Sequence, residues 1–90
     1  MDRTDEALVS AFSEALRSKR LAAGLTQEQL AERADVSTRF ISFLETRRRQ
    51  PTLTVIAALS NGLGLTLAEF AGEIERAWLV AKDNAAKERS

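Results

Sequence analysis

Arg39, Arg47, Arg48 and Arg49 fall within one short stretch and are opposed there only by Glu45. A guanidinium is always charged and presents a planar fork of donors, so such a cluster suits phosphate and the acceptor edges of bases. The same run also fits a solvated loop, and the charge pattern alone does not separate the two. Other chemistry is poorly provided for. The chain has neither cysteine nor histidine, which removes disulfides, thiolate nucleophiles, the commonest metal ligand and the commonest general base. Its carboxylates are scattered and form no evident catalytic pair, so no enzyme, metal or cofactor is expected. Net charge is zero, with 13 Lys and Arg against 13 Asp and Glu, which taken alone argues mildly against a nucleic-acid binder. Phosphate binding, however, needs one positive face rather than a positive sum, and Glu69, Glu73 and Glu75 gather downstream of the arginines.

The elements that would position these arginines are helical. Ninety residues make a single domain spanning 1–90. No strand-type alternation occurs, and apolar residues recur at helical spacing, so the expected fold class is all-α. Leu8, Ala11, Phe12, Ala15 and Leu16 begin a first helix that stops at Gly24. Thr26 with Gln29 forms a capping box for a second helix, which ends near Ala34. Ser37 caps a third to about Glu45, with Ile41 and Leu44 as its inward stripe. Pro51 and Thr52 open a fourth, closed by Asn61 and Gly62. Thr66 with Glu69 caps a fifth, which carries Phe70, Ile74 and Trp78 over about 67–85 before a polar tail whose end should fray. No apolar run approaches the roughly 18 residues of a membrane span, and Met1 to Ser10 is acidic where a secretion signal would be basic. A cytoplasmic protein is expected, with no membrane partner and no evident small-molecule ligand.

Helices two and three are each shorter than the roughly 12 to 15 residues at which an isolated helix is even marginal in water, so they must be held by packing. Asp35 and Val36 are too short a connection for the two to run side by side, and a steep crossing is the geometry of a helix-turn-helix at about Gln27 to Glu45. Ala31 is the small residue at the crossing, with Leu30, Val36, Ile41 and Leu44 beneath. Thr38, Arg39, Ser42 and Phe43 then face outward.

On the segments LRSKR, GLTQEQLAERADVS, FISFLETRRRQPTL and LSNGLGLTLAEF, from about Leu16 to Phe70, the sequence resembles the phage repressor and Cro type of helix-turn-helix, the xenobiotic-response-element family. The ordered combination of TQEQLA, VS, IS-x-LE and a proline before the fourth helix is highly specific. The resemblance implies a five-helix bundle whose third helix enters the major groove of double-stranded DNA. It places Thr38, Arg39 and Phe43 at base-reading positions, Gln27 at a phosphate, and Thr46 with the residues after it along the DNA backbone. It also aligns Arg20 and Glu45 with an ion pair tying helix one to the end of helix three. Asp35 departs from the pattern, standing where the turn usually has glycine. Aspartate tolerates the left-handed conformation better than most residues, so an intact turn at a small cost is expected.

Individual residues keep two readings at this point. Arg39 fits a bidentate contact to guanine O6 and N7, or a phosphate or solvent. Thr38 bonds a base or caps locally. Phe43 meets thymine methyls, or folds back on helix two or Phe40, itself read as a packing residue. Arg47, Arg48 and Arg49 should follow the phosphates, with the one facing the duplex undecided. Phe70, Ile74 and Trp78 suggest a dimer surface on the fifth helix, against packing of Trp78 on helix one near Leu8 and Phe12. A sequence-specific transcriptional regulator acting as a homodimer on a palindromic operator is the expected function. Phage-like repressors, restriction-modification controllers and antitoxins are variants of it, and a protein-interaction module retaining the fold is the rival class.

Overall fold

Side chains three residues upstream of a free amide fix where the helices begin. In the computed structural model, which describes residues 5–88, these helices are α1 Glu6–Ala22, α2 Gln27–Ala34, α3 Thr38–Glu45, α4 Leu53–Gly62 and α5 Leu67–Glu88. The Asp5 carboxylate accepts from the Leu8 amide at 2.9 Å, Ser37 Oγ from Phe40 at 3.0 Å and Thr52 Oγ1 from Val55 at 3.1 Å. Both expected capping boxes close: Thr26 with Gln29 at 3.0 and 2.8 Å, and Thr66 with Glu69 at 3.0 and 2.8 Å. Each satisfies a donor that the helix itself leaves free.

The turn between α2 and α3 is intact, with Asp35 left-handed at φ 58° and ψ 47°. Three expectations need adjusting. Helix α1 starts earlier than Leu8 because Asp5 caps it. The left-handed residue after α4 is Gly64, at φ 75°. Gly62 instead makes room for a neighbour, since a Cβ there would lie 3.2 Å from Leu30 Cδ1 and 3.3 Å from Arg33 Cβ where the end of α4 presses on α2. Helix α5 continues to Glu88, and the expected fraying of the tail falls on residues outside those described.

Leu16, Leu30, Ile41, Leu44, Leu59 and Phe70 form a fully buried centre drawn from all five helices. Each such side chain is worth roughly 1.5–3 kcal/mol relative to exposure, which is what holds α2 and α3 as helices. Helix α2 lies against both α3 and α4, while α5 packs chiefly along α1.

Phe70 was expected on a dimer surface, and here the structure corrects the sequence reading. Its ring is fully buried within the chain and meets Phe12 edge-on, with centroids 6.1 Å apart at 60°. As the first inward residue of α5 it closes the core, leaving nothing to offer a partner. Ile74, one turn on, is partly buried against the same core. Trp78 is also partly buried, with Lys82 Nζ 4.4 Å above its ring. Beyond it α5 turns apolar groups to solvent, Leu79 and Val80 each being 57% exposed, as it also does at its first residue, Leu67, 45% exposed.

Candidate nucleic-acid interface

Helix α3 is clamped at its C-terminal end by α1. Arg20, buried near the end of α1, donates through Nε to Glu45 Oε2 at 2.6 Å and through Nη2 to Oε1 at 3.0 Å, and its Nη1 reaches the Leu25 carbonyl at 2.9 Å. The Glu45 side chain is only 4% exposed, so the pair is largely removed from water. Hydrogen bonding to Glu45, followed by the attraction of its charge, raises the Arg20 pKa against the opposing effect of burial. Two turns earlier on the same side of α1, Ser13 Oγ donates to the Leu44 carbonyl at 2.6 Å, satisfying an acceptor that the end of α3 leaves open.

Gln27, expected at a phosphate, also belongs to this clamp. Its Nε2 donates to Glu45 Oε1 at 3.1 Å. An amide carries two N–H groups, so one remains for another acceptor.

The opposite side of α3 is open. Thr38 and Arg39 are exposed and Phe43 is partly buried. Phe40 packs against the core as expected. Past the helix, Thr46 Oγ1 turns back to the Ser42 carbonyl at 2.8 Å. Arg47 adopts a left-handed backbone, φ 64°, a conformation uncommon outside glycine, asparagine and aspartate. The chain then folds back, and the amides of Arg48 and Arg49 both donate to the Phe43 carbonyl, at 2.9 and 3.3 Å.

This turn sorts the three consecutive arginines. Arg47 reaches toward α1, its Nη1 3.4 Å from Ser10 Oγ. Arg48 lies over the Phe43 ring, 5.1 Å from the centroid, and Arg39 lies over the same ring at 5.3 Å. Arg49 borders a shallow recess beside Val36, Ser37 and Phe40. Arg39, Arg48 and Arg49 thus gather around the open side of α3, and Arg47 points elsewhere.

Ser13 escaped the sequence reading. Its signal was its place seven residues before Arg20, two helical turns apart and so on one side of α1. A buried serine in an apolar stripe is easily taken for a neutral filler.

A bundle whose second and third helices cross at a tight left-handed turn, with the third exposing a basic and aromatic side, is a helix-turn-helix domain. The chain belongs to the helix-turn-helix family HTH_3, a family of DNA-binding transcriptional regulators, which it matches over residues 16–70. It is 37% identical over 49 residues to the immunity repressor protein of Bacillus phage phi105, covering 54% of this chain and 34% of that protein. It is 38% identical over 47 residues to the HTH-type transcriptional regulator y4dJ of Sinorhizobium fredii, covering 52% and 61%. The chain thus spans less than two thirds of the length of either relative. Among solved structures it is similar to the clp gene regulator ClgR of Corynebacterium glutamicum, with a TM-score of 0.81, 29% identity, and coverage of 91% of this chain and 87% of that one. It is similar also to the restriction-modification controller protein C.Esp1396I, seen as a tetramer on its natural 35 base-pair operator, with a TM-score of 0.76, 28% identity, and coverage of 80% and 95%. Among the described residues no single helix is long and apolar enough to cross a membrane.

Proposed function

We propose that this chain is a sequence-specific transcriptional regulator that binds a palindromic operator as a homodimer, α3 lying in the major groove. The observation that carries this reading is the division of α3 itself: one side is locked to α1 and the core, and the other exposes Thr38 and Arg39 beside Arg48 and Arg49. Thr38 and Arg39 read base edges, and a guanidinium directed at guanine O6 and N7 is the commonest specific contact in that groove. Arg48, Arg49, Thr46 and the free N–H of Gln27 hold phosphates. Arg47 joins them if it swings away from Ser10. Such a protein would act in the cytoplasm, because its ligand is DNA.

A single recognition helix covers too few base pairs for useful specificity, and a two-fold dimer doubles the contacts on half-sites about 34 Å apart. The C.Esp1396I complex, with its tetramer on one operator, supports association as part of function. On this chain the far half of α5, with Trp78, Leu79, Val80 and the edge of Ile74, offers the apolar surface. Sequestering it in a dimer would be consistent with its exposure.

Selection of bound sequences from a random duplex pool tests the reading directly. A palindromic consensus is the expected result, and absence of any enriched sequence would overturn it. The dimer surface is tested separately by Trp78→Glu, which should yield a folded monomer with much weaker operator binding. An intact dimer in light scattering would remove α5 from the interface.

A further inference from the structure

Phe43 is the one residue of α3 to which both the reading and the holding arginines attach. Arg39 is four residues before it and so lies on the same side of the helix. Arg48 comes from outside the helix and arrives there only because Arg47 is left-handed and the following amides close on the Phe43 carbonyl. One residue thus fixes the loop through its carbonyl oxygen and both guanidinium groups through its ring.

We propose that Phe43 is a positioning residue that sets Arg39 for base reading and Arg48 for phosphate binding, rather than itself a reader of thymine methyls. The inference rests on the DNA-binding role proposed above and assigns the ring's part in it. A guanidinium within about 6 Å of an aromatic centroid is drawn to the ring's negative face. The ring's attraction for each guanidinium helps gather two like charges at one side chain before any phosphate arrives. Long arginine side chains lose much rotamer freedom when they bind, and arms already resting on a ring have less to lose. Sharing one ring has a further consequence. Removal of either arginine changes the setting of the other, so reading and holding are coupled through Phe43.

The test compares wild type with Phe43→Leu, which keeps apolar bulk without the ring, and Phe43→Tyr, which keeps the ring. Phe43→Met replaces the leucine variant if that one folds poorly. In the free protein, side-chain resonances of Arg39 and Arg48 should carry ring-current shifts that vanish in Phe43→Leu and persist in Phe43→Tyr. On the selected operator, Phe43→Leu should lose about tenfold in affinity. Its discrimination should fall at the base pair that Arg39→Ala affects, its salt slope should drop by up to about one unit, and Phe43→Tyr should restore both. The Arg39→Ala and Arg48→Ala losses should be non-additive with phenylalanine at position 43 and additive with leucine. Loss of preference at a thymine alone, with the Arg39 base pair and salt slope intact, would overturn the proposal in favour of methyl contact. Unshifted arginine resonances in wild type would overturn it without reference to DNA. Shifted resonances in a protein that selects no duplex would instead count against the proposed function, leaving the arrangement of the arms in place.

Discussion

The two sides of α3 differ in kind. Toward α1, the Leu44 carbonyl and the Glu45 carboxylate have buried or partly buried partners, and Ile41 and Leu44 are fully enclosed. On the open side, Arg39 and Arg48 rest on the Phe43 ring, and Thr38 stands in solvent. An eight-residue helix cannot hold itself in water, so its inner side supplies rigidity while its outer side remains available for recognition. Stability and sequence preference should therefore be separable by mutation within a single short helix, depending only on which side is touched.

The sharpest attempt to break this separation is Glu45→Ala. It leaves Arg20 buried with its charge uncompensated, which typically costs about 3–5 kcal/mol, and thermal melting should register a large fall. Base preference, measured on whatever operator the folded fraction binds, should not change. A variant of unaltered stability and altered preference would show that the inner side reads DNA after all.

Next in size is Arg39→Ala, expected to cost about 1–3 kcal/mol on the preferred operator and to flatten discrimination at one base pair of each half-site. Its melting temperature should stay near that of wild type. Equal weakening on operator and scrambled duplex would place Arg39 among the phosphate contacts instead.

Ser13→Ala probes the inner side more gently. The Leu44 carbonyl would keep a long hydrogen bond from the Arg47 amide, at 3.5 Å, and the loss of the serine bond should cost about 1 kcal/mol. Denaturant unfolding should show a lower midpoint with operator discrimination intact. If discrimination changed, the clamp would be setting the angle of α3 as well as its stability.

The smallest effect belongs to Arg48→Ala. Binding to operator and scrambled DNA should both weaken, with the salt slope reduced by about one unit for each phosphate no longer neutralised, and the operator should lose slightly more because Arg39 shares the Phe43 ring with Arg48. Isotherms at several salt concentrations distinguish this from the outcome for Arg39→Ala, and a loss of base preference larger than that of Arg39→Ala would reverse the two assignments.

Much of this arrangement is local, and what is local was legible in the sequence. Thr26, Ser37, Thr52 and Thr66 act on amides three residues away, so their spacing alone marks the helix starts. Apolar periodicity marked the inner stripe of α3, and Asp35 turned left-handed as its side chain allows. The pairing of Arg20 with Glu45, 25 residues apart, was legible only through family resemblance, since no periodicity links two such positions.

Other features depended on how the helices pack. Periodicity says which side of α5 is apolar but not what covers it, and only the approach of Phe12 placed Phe70 in the core and moved the exposed apolar surface onward to Leu79 and Val80. Three consecutive arginines are equivalent in composition. The left-handed Arg47, with the amides of Arg48 and Arg49 closing on the Phe43 carbonyl, is what sends one toward α1 and another onto the Phe43 ring. Ser13 meets Leu44 across 31 residues of chain, a pairing that requires two helices to be in place. Helix boundaries, the turn between α2 and α3 and the family pattern were already fixed by the order of residues, because those follow from interactions within a few positions. Which side chains meet between helices was left to the folded core, where the position of each helix is fixed by all the others at once.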